Sequence, residues 1–307
     1  MANSRAEDSI LRRHVRQAGR DDAAAIQKLL QTGVYVHVHV DWRPPGEWLG
    51  SPGFVVFEGR AVADQTTDGQ ATSDILACMA ITADPPPSAW VRVAAAKASV
   101  GYSQARAMFD QILEDIDPTI EDISWFMADY WPLHWLERLG FRYDLDVLTY
   151  YKEDLSVPSC RMSPDLQIRP LMVEDIPALV EIETAAFAEP RWRHNAMDLG
   201  LAWRNSICFD VALLDDRPVA YQVSTGGEGN AHLARMTVHP DCQGMGIGAA
   251  LLATAIDKYR LQNIRTVTLN TQSNNTASHR LYERFGFRPT GHSYPVWAYA
   301  VERDRLT

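Results

Sequence analysis

Two stretches of this 307-residue chain end alike, and that likeness limits the folds open to it. "WLERLGFR" occupies Trp135–Arg142 and "LYERFGFR" occupies Leu281–Arg288, with five identities in eight aligned positions. The likeness extends to the beginnings of the two halves. "HVRQAGRDDAAAIQKLLQ" and "LQIRPLMVEDIPALVEIETAAF" each give an extended run, then an acidic pair, then a helix-spaced apolar stripe. The pairs are Asp21-Asp22 and Glu174-Asp175. A repeat of roughly 140–150 residues is about one domain long, so the pattern predicts a duplicated domain. The polar, proline-containing "SVPSCRMSPD" (Ser156–Asp165) reads as a linker and places the domains at 1–157 and 158–307.

In the second half, "VALLDD" and "PVAYQVST" around Asp215-Asp216-Arg217 read as a hairpin, and "AHLARMTV" as a strand. Residues from about Gly248 to Arg260 predict an amphipathic helix, with Leu251, Leu252, Ala255, Ile256 and Tyr259 on one stripe. "TVTLNT" reads as a strand. "NTASHRLYERFG" reads as a helix with Asn275 as N-cap and Gly286 as its stop, and "VWAYAV" as a last strand. The fold class this predicts is α+β (mixed α/β), with one continuous sheet per half.

"HLARMTVHPDCQGMGIGAALL", His232–Leu252, joins the predicted strand to the predicted helix through Gly244, Gly246 and Gly248. Glycines permit positive φ and close approach of the backbone. Successive N–H groups and the helix N-terminus then make an anion cradle, whose natural guest is a pyrophosphate. A tight turn with nothing bound is the other reading. A Walker A loop needs Lys and Ser/Thr where Ala249 and Ala250 stand. A dinucleotide fingerprint needs G-x-G-x-x-G, and the spacing here is G-x-G-x-G.

The pair "VHPDCQGMGIGAALL" and "NTASHRLYERFGF", in this order and separation, resembles the GCN5-related N-acetyltransferase (GNAT) superfamily over about Leu166–Val301. The resemblance implies two tandem GNAT-like domains, each a central, mostly antiparallel mixed sheet flanked by helices. It implies acetyl-CoA as co-substrate and an amine acceptor. The turn Gln243, Gly244, Met245, Gly246, Ile247, Gly248 and Ala249 would hold the pyrophosphate. The strand before it would splay from its neighbour and offer the backbone of Met236, Thr237 and Val238 to the pantetheine arm, with Asn275 on the far side. Tyr282 matches the tyrosine that protonates the leaving thiolate, and Met236 the residue whose N–H polarises the thioester carbonyl. His232, on the same strand, is the candidate base, with a packed strand histidine as the alternative and Glu228 as the fallback. A non-catalytic acyl-CoA-binding or sensor protein of the same fold is the rival function, and Tyr282 favours the enzyme.

The first half departs from this pattern. Leu136 stands opposite Tyr282, Asp129 opposite Asn275, and "AAAKASVGYSQARAMF" has no Q-x-x-G-x-G. A catalytically degenerate domain is expected there. "VYVHVHVDW" aligns Tyr35, His37, His39 and Asp41 on one strand face, where a polar face outweighs a metal pair. Cys242 reads as a turn cysteine, and Arg191, Trp192, Arg193 and His194 fall in the segment that shapes the acceptor pocket in the family.

Composition bounds the partners. Hydrophobic residues are 46% and charged residues 22%, which fills a core. A net charge of -10 repels phosphate backbones, so nucleic acid is not expected as a partner. The cysteines Cys78, Cys160, Cys208 and Cys242 form no C-x-x-C pair, so neither a zinc site nor a disulfide framework is predicted. "MANSRAEDSILRR" has no apolar leader and no run approaches ~18 apolar residues, which predicts a soluble, cytoplasmic protein without a membrane anchor. Oligomeric state and acceptor identity are left open by the sequence.

Overall fold

The computed structural model describes residues 10–40, 42–60, 73–83, 86–128, 131–160 and 164–302. Asp41, Asp129, Arg161–Ser163 of the linker and residues 1–9 of the N-terminus lie outside the described residues. Contacts divide the chain into two compact units, 1–144 with 295–307, and 145–294. The expected boundary at 157/158 follows the linker, whereas these units follow strand pairing.

The first unit contains β1 (Val15–Gln17), α1 (Ala23–Thr32), β2 (Tyr35–Val38), β3 (Phe54–Arg60), β4 (Ser73–Ala83), β5 (Ser88–Ala96), α2 (Tyr102–Asp115), β6 (Asp122–Phe126) and α3 (Leu133–Leu139). Strands β1, β3, β4 and β5 pair antiparallel in that order. Strand β5 then pairs parallel with β6 over Ser88–Trp90, and β2 pairs with β5 further along, at Val93–Ala96.

The second unit repeats this order. After β7 (Arg142–Lys152), most of which belongs here, come β8 (Leu166–Pro170), α4 (Ile176–Ala186), α5 (Ala196–Arg204), β9 (Cys208–Leu214), β10 (Arg217–Gly227), β11 (Asn230–Val238), α6 (Ile247–Leu261), β12 (Thr266–Gln272) and α7 (Thr276–Arg284). Strands β8 to β11 pair antiparallel and β11 pairs parallel with β12. The expected β9–β10 hairpin forms, with Asp215 and Asp216 at φ 50° and 60°, as a two-residue type I′ turn requires.

The last strands do not pair where sequence order suggests. Strand β7 follows α3 but pairs with β12 over Val147–Lys152. Strand β13 (Arg288–Ala300) follows α7, yet its Val296–Ala300 end pairs with β6 in the first unit. The "VWAYAV" strand therefore completes the sheet of the first unit, a correction to its reading as a strand of the second half.

Local chemistry explains the repeated sequence. Asp175 accepts both Arg169 guanidinium nitrogens, at 2.7 and 2.8 Å, and the Met172 N–H at 2.8 Å. Asp22 does the same with Arg16, both at 2.8 Å, and with the Gly19 N–H at 2.8 Å. Such forks join the first strand to the first helix in each unit, and each holds its carboxyl below the usual range through the arginine hydrogen bond. At the other end, Gly140 and Gly286 adopt φ 105° and 81°, and Phe141 and Phe287 bond back to Leu136 O and Tyr282 O. Only glycine enters that left-handed conformation cheaply, and the phenylalanine that follows plugs the core. The α6 stripe Leu251, Leu252, Ala255, Ile256 and Tyr259 is fully buried, as its spacing predicts.

Candidate active site

Strand β11 carries a bulge. Val223 of β10 opposes Arg235 and Ser224 opposes Leu233, which leaves Ala234 as the extra residue. Parallel pairing with β12 stops just before it, at Leu233↔Leu269. Met236, Thr237 and Val238 still pair with Gln222, Tyr221 and Ala220 on the β10 side but have no β12 partner. Backbone groups alternate along a strand, so Thr237 turns its own to Tyr221 of β10 while Met236 and Val238 turn theirs to this open edge.

That edge leads to the glycine turn. A 3-10 turn, Pro240–Cys242, precedes exposed Gln243–Gly246, and α6 starts at Ile247. Gly244 and Gly246 sit at φ 77° and 83°, a region that disfavours any residue with a Cβ. A Cβ on Gly244 would meet nothing within 4 Å, so its requirement is conformational. The first intrahelical bond is Ala250 N–H to Gly246 O at 3.0 Å, which leaves the amides of Ile247, Gly248 and Ala249 without helical acceptors. The Gln243 amide braces the turn by donating to Val238 O at 3.2 Å. Cys242 is a free thiol in the 3-10 turn.

Helix α7 closes the site. A Cβ on Gly248 would lie 3.5 Å from Leu281 of α7 and 3.6 Å from Val238 of β11, so turn, strand and helix meet at this glycine. Asn275 caps α7 by accepting the Ser278 N–H at 3.1 Å. Tyr282 is buried in the same apolar cluster that Met236 packs against. Burial pushes its phenol up to about 12, while the Ser278 hydroxyl and the Arg235 charge pull it down. At neutral pH it is a protonated donor.

His232 sits on the paired segment of β11, opposite Thr268, at the closed end of the split. Its Nδ1 lies 2.9 Å from Thr268 Oγ1, and burial lowers its pKa below the ordinary 6.5, so the ring is neutral at pH 7. Glu228 is exposed at the tip of the β10–β11 hairpin with φ 51°, away from the split.

Sequence reasoning missed the charge cluster behind β11. Glu183 of α4 is fully buried and forms an ion pair with Arg235. It also accepts the Tyr221 hydroxyl at 2.7 Å, the Thr237 hydroxyl at 2.7 Å and the His194 N–H at 3.0 Å. Burial alone would raise its pKa, but Arg235 and the other donors override this and hold the carboxyl at about 2. A carboxylate so held is a clamp rather than a base. Arg235 also donates to Trp192 O and stacks over the Phe187 ring at 4.0 Å. Arg193 donates to Phe187 O and Ala188 O at 2.7 and 2.9 Å. The segment containing Trp192, Arg193 and His194 is thereby tied to α4 and β11. The available signal was Glu183 lying on the α4 stripe with Leu179 and Ile182, where a carboxylate demands a partner.

The first unit builds the same frame and fills it. Its bulge falls at the same offset, with Arg92 as the extra residue of β5. Ala94, Ala95 and Ala96 are then the counterparts of Met236, Thr237 and Val238. They pair on their open side with His37, Val36 and Tyr35 of β2. Tyr35 packs edge-on against Trp131 and Trp135, at 6.1 and 5.2 Å, and Leu136 is fully buried where the second unit has Tyr282. His37 Nε2 lies 3.0 Å from Val91 O and His39 stacks on Trp90 at 4.8 Å. Among the described residues no three His, Cys, Asp or Glu converge as metal ligands, and no helix is long and apolar enough to cross a membrane.

Comparison with known proteins matches residues 176–287 to the acetyltransferase (GNAT) family. An uncharacterised N-acetyltransferase of Methanocaldococcus jannaschii is 34% identical over 122 residues, covering 39% of this chain and 77% of that protein. The ribosomal protein bS18-alanine N-acetyltransferase of Salmonella typhimurium is 31% identical over 117 residues, covering 38% of this chain and 77% of that enzyme. A tandem GNAT protein from the clavulanic acid biosynthesis pathway superposes with a TM-score of 0.58 at 14% identity, over 94% of this chain and 98% of its own, a likeness of fold.

The clamp is testable by its stability. Glu183→Ala leaves Arg235 buried without its carboxylate and should cost about 3–5 kcal/mol in urea unfolding. Glu181→Ala, at an exposed neighbour on the same helix, should stay within about 0.5 kcal/mol. Because the folded pKa is depressed, the contribution is present above the ordinary carboxylate range and is lost as pH falls toward about 2. Equal, small effects of the two variants would show that the clamp carries no load.

Proposed function

We propose that this chain, which belongs to the GNAT family of N-acetyltransferases, uses its second unit to move the acetyl group of acetyl-CoA onto the nitrogen of an amine. The observation that carries this reading is the open β11 edge running from Met236 to the glycine turn, with His232 at its closed end and Tyr282 on the helix beside it. The backbone amides of Gly244–Ala249 and the N-terminus of α6 take the pyrophosphate without any side-chain charge, and Gln243, bonded to Pro240 O and Val238 O, braces the turn. In the stretch Met236, Thr237 and Val238, the backbone of Met236 and the N–H of Val238 are free for pantetheine, Thr237 between them is bonded to β10, and Asn275 lines the other side.

The amine must be neutral to attack. Its lone pair forms the N–C bond at the thioester carbonyl, whose oxygen takes a hydrogen bond from the Met236 N–H. The C–S bond breaks and its electron pair leaves on sulfur. His232, neutral at pH 7, takes the proton the nitrogen gives up, directly or through water. Tyr282 donates its O–H to sulfur. The proton held by His232 then returns through solvent to the Tyr282 phenolate, so that in sum one amine hydrogen ends on the CoA thiol and the amide is released. The acceptor is an amine, a small molecule or a peptide N-terminus. The relative that acts on the alanine of a ribosomal protein supports including peptides.

The first domain does not take acetyl-CoA in this reading, since β2 supplies the hydrogen bonds that pantetheine would make. We assign the duplicated domains to 1–157 and 158–307, with their last strands exchanged on folding. The free thiols of the four cysteines support a reducing, cytoplasmic setting.

The direct test is thiol release from acetyl-CoA with a panel of amines, including alanine-terminated peptides, amino acids and polyamines, against a hydrolysis blank. Tyr282→Phe should lower kcat by roughly 10²–10⁴-fold while acetyl-CoA affinity stays within about twofold. Unchanged turnover would remove Tyr282 from the chemistry. Calorimetric titration with CoA should give one site per chain, abolished by Gly246→Glu, which puts a carboxylate and a strained φ into the cradle. Two equal sites per chain would refute the filled first cleft.

If His232 is the base, kcat/KM rises with pH through an ionisation below the ordinary 6.5, because burial favours the neutral ring. His232→Ala should lose that limb and leave only the ionisation of the acceptor amine. A limb retained at comparable rate makes His232 a packing residue.

A further inference from the structure

Helix α7, which carries Tyr282, is nine residues long and begins straight after a turn. One turn before Tyr282 it carries His279, which the chemistry above does not use. His279 Nε2 lies 3.1 Å from Gln272 O, at the end of β12, and 3.3 Å from Ser273 O in the turn that follows. Backbone carbonyls only accept, so Nε2 carries a hydrogen, and in the Nε2–H tautomer Nδ1 is the acceptor. The partner of Nδ1 is the Tyr150 hydroxyl at 2.7 Å, which donates to that tautomer. Tyr150 is buried on β7, paired in the sheet with Leu269. Its ring packs against both His279, at 5.7 Å, and Tyr282, at 6.4 Å.

Resting on the acetyltransferase reading, we propose that Tyr150 and His279 are a positioning pair that sets the Tyr282 phenol against the cofactor edge. The imidazole joins three elements: it donates to the end of β12, accepts from β7, and is itself part of α7. A helix of nine residues has little rigidity of its own, so this link fixes its roll and depth over the split. The Tyr150 ring then limits the positions open to Tyr282. The Tyr150 O–H is committed to His279, so it is no second proton donor for the thiolate.

A double-mutant cycle on the full chain tests the pair, with acetyl-CoA and the amine of the panel that the wild type turns over fastest. Tyr150→Phe keeps the ring and removes the bond. It should lower kcat about tenfold or more, since small misplacements of a reacting group cost up to about 10²-fold. The Kd for CoA by calorimetry should stay within about twofold. His279→Leu should match it. His279→Gln, which keeps a donor and an acceptor, should recover part of the rate. In a Tyr282→Phe background, Tyr150→Phe should have no further effect, because the group being positioned is gone. The same fold-loss in both backgrounds, or no loss in either, would overturn the proposal. So would a nitrogen-15 spectrum showing His279 as the Nδ1–H tautomer. If Tyr282→Phe alone leaves kcat unchanged, the acid role of Tyr282 fails and the positioning role falls with it. If only the cycle is additive, the positioning role fails and the acid role stands.

Discussion

A β-strand that loses its neighbour halfway along must leave half of its backbone groups for something else to satisfy. In the second unit, β11 and β12 pair over four residues and then part at the Ala234 bulge. The rest of the site depends on that parting. It opens the edge at Met236, Thr237 and Val238 and directs it toward the glycine turn. It also turns Arg235 and Thr237 onto Glu183, and leaves His232 where the strands are still joined. A buried carboxylate would be costly by itself. Here it is offset by a guanidinium, two hydroxyls and an amide, and the fully bonded cluster holds α4 and the segment through His194 against the bulged strand.

The two units show how one frame serves two ends. Both have the arginine–aspartate fork, the bulge at the same offset and the glycine-terminated helix. They differ in what meets the open edge. In the first unit, four residues of β2 complete the ladder, and Tyr35, Trp131, Trp135 and Leu136 occupy the space beside it. In the second, the chain after α4 turns through Pro190–Trp192 and α5 instead, and the edge stays free. Loss of the glycine turn and of the tyrosine in the first half is then of a piece with β2, because a cleft filled from within has no use for either.

Much of the fold was legible because its cues are local. The acidic pairs at the first helices, the Asn275 cap, the Gly286 stop, the hairpin at Asp215-Asp216 and the buried stripe of α6 each act within a few residues, so pattern and position suffice to read them. The glycine turn was legible for the same reason, since positive φ at Gly244 and Gly246 is a demand that sequence states outright. Glu183 with Arg235, and Tyr150 with His279, lie 52 and 129 residues apart. No local rule pairs them.

The sequence by itself determined the repeat, the strand and helix types, the glycine turn and the one half that has it. These follow from φ preferences, capping and periodicity, which are properties of neighbouring residues. Only the tertiary structure decided which strands meet. The ends of β7 and β13 pair with β12 and β6 respectively, and β2 enters the first cleft, because a strand's partner is set by which open edge it can reach in space. Its own residues specify only that it will be extended.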